Sequence, residues 1–138
     1  MEIKQISVFL ENTAGRLGEV TQVLANAGIN LRAISIADTA DFGILRLIAD
    51  KSDAALKALK DAGFTTRVSD VVALEIEDAP GSLAKVMDLF RKTNVNIEYL
   101  YASLEGQAGK AVVIFKLEDH AKGLQILKEN GLSMIESF

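Results

Sequence analysis

Apolar positions along this chain follow two alternating rhythms. Ile3–Leu10 is a mixed apolar run of strand length. Leu17, Val20, Val23, Leu24 and Ala27 then recur at helical spacing and predict one apolar helix face. Asn12-Thr13 supplies a side-chain cap for that helix, and Gly28 ends it by taking a left-handed backbone at little cost. Asn30–Ala37 reads as a strand with Ile34 and Ile36 on one face. Asp38-Thr39-Ala40-Asp41 makes a polar turn, and Gly43–Ile48 is the returning strand. Ser52-Asp53 caps a second helix carrying Ala55, Leu56, Leu59 and Ala62; it stops at Gly63, before a short strand at Phe64–Ser69. The rhythm then starts again: strand 72–77, helix 81–93, strand 96–104, a glycine-containing turn at 105–109, strand 110–117, helix 120–130, and strand 132–137 after Gly131.

The second half restates the first at the level of individual residues. At a shift of 66 positions, Glu11, Gly15, Leu17, Val20 and Asn30 recur as Glu77, Gly81, Leu83, Val86 and Asn96. Leu24, Ile29 and Leu31 recur as Phe90, Val95 and Ile97. With only two copies of a long period, the reading is two tandem small domains rather than a solenoid. Each copy has the order βαββαβ, and two helices on one face of a four-stranded antiparallel sheet is the compact way to bury the apolar stripes. The expected class is therefore α+β, with ferredoxin-like units at 1–70 and 71–138 packed side by side. Ser69-Asp70 is the only polar break between them, and no Gly/Ser/Pro-rich linker separates the halves. Alternating Ile and Val in 31–36 and 112–117 keep the helix-free sheet face partly apolar, which points to a homodimer or a larger complex.

Composition removes several function classes. The 138-residue chain has no Cys, so neither a disulfide framework nor a cysteine metal site is available. Its net charge of −4 argues against a nucleic-acid surface. No leader-like segment opens the chain and no apolar run reaches membrane-spanning length, so a cytoplasmic location without membrane association is expected. An RNA-recognition sheet of the same topology needs exposed stacking aromatics, and the first half offers only Phe42 near the corresponding place. No nucleophile, base and orienter set stands out, no metal cluster accompanies the lone His120, and neither a P-loop nor a dinucleotide loop occurs. Neither enzymatic activity nor a cofactor is expected.

The candidate chemistry lies between the first strand and first helix of each copy. In the second it reads Asp78-Ala79-Pro80-Gly81-Ser82-Leu83. Proline suits the first helical position, and glycine leaves no Cβ to hold a ligand away from the backbone. A helix start offers unpaired N–H groups and a partial positive charge to a carboxylate. An Asn or Asp just before it meets a cation such as an α-ammonium group. The two ends of an amino-acid zwitterion therefore match this loop. The bland reading is that Asn12 and Asp78 are helix caps, that the glycines only permit tight turns, and that Asn30 and Asn96 serve local turn bonding.

Glu77–Leu83 with Val95-Asn96-Ile97, and Asn12–Leu17 with Gly28-Ile29-Asn30-Leu31, resemble the pattern of ACT domains, small regulatory modules of amino-acid metabolism. The resemblance covers almost the whole chain; Ala14 stands where the pattern has proline, and Asp78 where it often has Asn. It implies a sensor in which paired domains hold an amino acid or related metabolite. One site would use Asn12, Ala14, Gly15 and Leu17 with Asn96 opposite, and the other Asp78, Pro80, Gly81 and Leu83 with Asn30 opposite. It also allows a ligand-free module that assembles with, or docks on, an enzyme it regulates.

Overall fold

The computed structural model describes residues 3–38, 40–104 and 106–138. Thr39 of the predicted first turn, Glu105 of the second, and the first two residues of the segment read for a leader lie outside them. The chain divides into two compact units, Lys4–Ser69 and Asp70–Ser137, with Ile3 counted in the second and Phe138 in the first. Each is a ferredoxin-like arrangement of antiparallel strands and two helices, as the alternating rhythms predict.

In the first unit, β1 (Ile3–Glu11) leads into α1 (Arg16–Asn26), the hairpin β2 (Leu31–Asp38) and β3 (Phe42–Ala49), α2 (Ser52–Asp61), and the beginning of β4 (Thr65–Glu77). The strand order is β2-β3-β1-β4. Ile6, Val8 and Leu10 of β1 and Leu45 and Leu47 of β3 form the sheet side of a core closed by Val20, Leu24, Ala55 and Leu59 from the helices.

The second unit repeats the plan with the remainder of β4, α3 (Ser82–Lys92), β5 (Ile97–Ala102), β6 (Lys110–Leu117), α4 (His120–Glu129) and β7 (Met134–Ile135). β4 lies between β6 and β7, and β5 pairs with the far side of β6, all antiparallel. Its core joins Val72, Leu74, Val113, Phe115 and Leu117 to Val86, Phe90, Ile126 and Leu127. Phe90 and Phe115 meet edge to face, with centroids 5.8 Å apart. Phe115 is fully buried there.

All four helices end alike. Gly28, Gly63, Asn94 and Gly131 have φ of 71°, 87°, 57° and 65°. The next residue then donates five positions back: Ile29 to Leu24, Phe64 to Leu59, Val95 to Phe90 and Leu132 to Leu127. This is the Schellman closure, in which the apolar residue after the cap folds onto the helix.

Five local expectations are corrected. Neither Asn12-Thr13 nor Ser52-Asp53 caps a helix by its side chain; the N-cap residues are Gly15 and Lys51, without side-chain cap bonds. Pro80 precedes the cap residue Gly81 and so is not in the first helical position. Ser69-Asp70 interrupts nothing, because β4 runs through it from Thr65 to Glu77; without Gly or Pro there, polar side chains alone do not bend a strand. The last strand contracts from 132–137 to Met134–Ile135.

Candidate functional site

The two strand-to-helix loops are built by the same turn. Thr13 O accepts from Arg16 N at 3.4 Å, and Ala79 O accepts from Ser82 N at 3.2 Å. Gly15 has φ 89° and ψ −14°, and Gly81 has φ 88° and ψ −9°. These are the dihedrals of the third position of a type II turn, which favours proline at the second and requires φ > 0 at the third. Pro80 and Ala14 occupy that second position. The glycines are therefore demanded by the turn, and proline stiffens only one copy of it. A Cβ on either glycine would meet nothing within 4 Å, so the space in front of the backbone is open.

The loops are also anchored from behind. Asn12 N donates to Asp41 O at 2.9 Å, and Asp78 N donates to Gly109 O at 3.0 Å, tying each loop to the hairpin of its own unit. The first α-helical bonds are Glu19 N to Gly15 O and Lys85 N to Gly81 O. Among the described residues, the N–H groups of the preceding two residues, Leu17-Gly18 and Leu83-Ala84, receive no side-chain cap. Each helix start thus keeps free donors and a partial positive charge for an anionic group. Asn12 and Asp78 are exposed and uninvolved in capping.

Leu17, read from helical spacing as part of an apolar helix face, and its repeat Leu83 are both expected in the ligand sites. They are 41% and 36% exposed, while Val20, Leu24, Val86 and Phe90 of the same helices are buried. Each loop therefore presents an apolar side chain, a polar or acidic one, and open backbone donors together.

Asn30 and Asn96 lie elsewhere within their units. Glu11 pairs with Phe42 on one edge of β3 and Leu31 with Ala49 on the other, at opposite ends of that strand, so Asn30, just before Leu31, is at the sheet end opposite the Asn12 loop. The same registers separate Asn96 from the Asp78 loop. Each Asn faces an acid that sequence reasoning passed over. Asp50 N donates to Asn30 O at 3.0 Å, and Glu118 N donates to Asn96 O at 3.0 Å. In return, Asn30 N donates to Asp50 Oδ1 at 3.1 Å, whereas Asn96 Nδ2 donates from its side chain to Glu118 Oε2 at 3.0 Å. The available signal was an acidic residue closing the third strand of both repeats.

Asn96 and Glu118 line an open polar cleft of about 320 Å³ with Asn94, Val95, Asp119 and Lys122. Asp119 caps α4 by accepting from Lys122 N at 3.1 Å, and Lys122 Nζ donates to Asn94 O at 3.3 Å. His120 is half-buried, and among the described residues neither of its buried ring nitrogens has a hydrogen-bond partner. Among the described residues, no group of three or more His, Asp or Glu side chains is placed to hold a metal ion, and no helix is long and apolar enough to cross a membrane.

The repeated βαββαβ units with matching glycine turns agree with what comparison with known proteins finds. The ACT domain pair family model matches residues 1–137. The chain belongs to that family. Protein BT0572 from Bacteroides thetaiotaomicron is 44% identical, with a TM-score of 0.92 over 98% of this chain and 92% of that one. The ligand-free regulatory subunit of aspartate kinase from Thermus thermophilus is 20% identical and shares the fold, with a TM-score of 0.69 over 94% of this chain and 93% of that one. Its counterpart from Thermus flavus is 21% identical, with a TM-score of 0.64 over 94% and 92% of the respective chains. No curated protein matches the chain.

Proposed function

We propose that this protein is an amino-acid sensor that regulates an enzyme, with residues 1–70 and 71–138 as its two ACT domains. The observation that carries the reading is the repeated loop, where uncapped helix N–H groups, an exposed Leu and an exposed Asn or Asp surround open backbone. A zwitterion's carboxylate is received by the helix starts after Gly15 and Gly81, and its ammonium group by Asn12 or Asp78. Ala14, Leu17, Pro80 and Leu83 shape the surroundings, and Asn30 and Asn96 offer further ligand contacts. The shared fold with regulatory subunits of aspartate kinase supports action on an enzyme partner rather than catalysis by this chain. A homodimer in the cytoplasm is the state in which we expect it to work.

The test is thermal unfolding with each of the twenty amino acids. A ligand present at a hundred times its dissociation constant stabilises the folded protein by roughly 2.7 kcal/mol. Melting that none of them shifts would reject the reading. A ligand-free docking module would then be favoured by exposed Phe42 and Ile36, which are 57% and 51% accessible.

A further inference from the structure

We propose that Glu118 is a positioning residue that fixes the Asn96 side-chain amide with its carbonyl oxygen outward, so that the start of β5 selects ligands carrying an ammonium group. This rests on the reading of the protein as an amino-acid sensor. The argument begins with one methylene. Asp50 and Glu118 close equivalent strands, and the backbone N–H of each donates to the carbonyl of the facing Asn at 3.0 Å. The shorter Asp50 carboxylate accepts from the Asn30 backbone. The longer Glu118 reaches past it to the Asn96 side chain, whose Nδ2 donates at 3.0 Å.

A carboxylate only accepts, while a primary amide has one accepting and one donating end. Glu118 therefore breaks the ambiguity of the Asn96 amide: the NH2 end is held, and Oδ1 is left as the acceptor. Reversing the amide would set two oxygens against each other. A ligand entering the cleft beside Asn96 meets this oxygen together with the exposed carboxylates of Glu118 and Asp119. All three favour a positively charged donor, and the cationic Lys122 of the same lining is engaged with Asn94 O. Among the described residues the Asn30 side chain has no such tether, so its amide serves a donor or an acceptor equally. The two strand starts thus differ in what they recognise, although their backbones are alike.

Two measurements test this. The first needs no ligand: NMR of the Asn96 side-chain amide protons in the full chain. Glu118→Ala is expected to move their chemical shifts to those of a free primary amide and speed their exchange with water by tenfold or more, while Glu118→Gln, whose own amide donates as well as accepts, restores the wild-type signals only in part. Unchanged Asn96 signals in a folded Glu118→Ala variant would overturn the positioning role, whatever the ligand results. The second is calorimetric titration with the twenty amino acids and the matching 2-hydroxy acids, which lack the ammonium group. The wild type is expected to prefer the amino acid, with that preference falling at least tenfold in Glu118→Ala and staying low in Glu118→Gln, whose amide lets either end of Asn96 face the ligand. Equal preference in wild type and Glu118→Ala would overturn the selectivity. Absence of all amino-acid binding would reject the sensor reading and the selectivity with it, while the NMR result still decides the positioning.

Discussion

Gly123 of α4 lies so close to Leu117 of β6 that a Cβ added to the glycine would fall 2.2 Å from Leu117 Cδ1. Leu117 is fully buried, so relieving the clash requires its side chain to change rotamer within the core. The first unit solves the same contact with the sizes exchanged: Ala55 occupies the helix position and Ala49 the strand position. One copy uses a small strand residue with alanine on the helix, the other a large strand residue with glycine.

Gly123→Ala is therefore expected to destabilise the protein. Alanine gains about 1 kcal/mol in helix propensity over glycine. Forcing a methyl group into a filled core costs about 1–3 kcal/mol, and here the core term is expected to win. Combining Gly123→Ala with Leu117→Ala, which empties the opposing position, should turn the effect of Gly123→Ala stabilising. Chemical denaturation of the single and double variants gives the coupling directly; additive effects would show that the contact is not the cause.

A pH dependence follows from Asp88 on α3. Arg91 and Lys92 approach its two oxygens at 2.6 and 2.7 Å. Hydrogen bonding to Lys92 and then to Arg91 holds its carboxyl below the ordinary carboxylate range. The unfolded chain therefore binds this proton more readily than the folded one. The contribution is present in full above the unfolded value and disappears as pH falls through the lowered folded value. It is small, because the group is solvent-exposed and screened by salt. Asp88→Asn is expected to melt slightly below wild type near neutral pH, with the gap closing in acid and in high salt. A gap that persists unchanged at pH 2 would assign the effect to something other than this charge.

The repeat made most of the fold legible. Helical spacing located Val20 and Leu24, and the shifted copy located Val86 and Phe90, because buried stripes leave a periodic trace. Leu17 and Leu83 obey the same spacing and are exposed; periodicity records a face, not how far neighbouring elements extend over its end. The side-chain caps failed for a related reason. Asn12 is a good cap by type, but the type II turn at Gly15 intervenes and moves the helix start beyond its reach. The link between Asn96 and Glu118 crosses from the start of one strand to the end of another, and a single sequence carries no local signal for that pairing.

The turn glycines give a prediction about strain. Gly15→Ala and Gly81→Ala each place a Cβ into open space, so no clash is expected. The left-handed backbone still costs an L-residue roughly 1–2 kcal/mol. Both variants are expected to lose about that much stability, and Gly81→Asn less, because Asn tolerates this conformation better. Equilibrium denaturation reads the difference. Equal losses for Ala and Asn at position 81 would mean that the backbone angle is not the source.

The loops yield the sharpest functional test. Should an amino acid bind at the second loop, its ammonium group meets Asp78 and its carboxylate meets the free N–H groups of Leu83 and Ala84. A hydrogen bond to a charged group contributes on the order of 1.5–3 kcal/mol. Asp78→Ala is then expected to weaken binding at that loop roughly ten- to a hundredfold, since about 1.4 kcal/mol is a decade in affinity. Because Asp78 makes no cap bond, its removal should leave the melting temperature of the free protein nearly unchanged. Asn12→Ala acts on the first loop, where a neutral amide gives a weaker contact and a smaller loss is expected. Gly81→Val addresses the same site differently, by setting a branched side chain in the open space before the backbone. Calorimetric titration of folded variants, with circular dichroism to verify the fold, separates these effects. If Asp78→Ala and Gly81→Val both bind the ligand as tightly as wild type, the recognition site is not this loop.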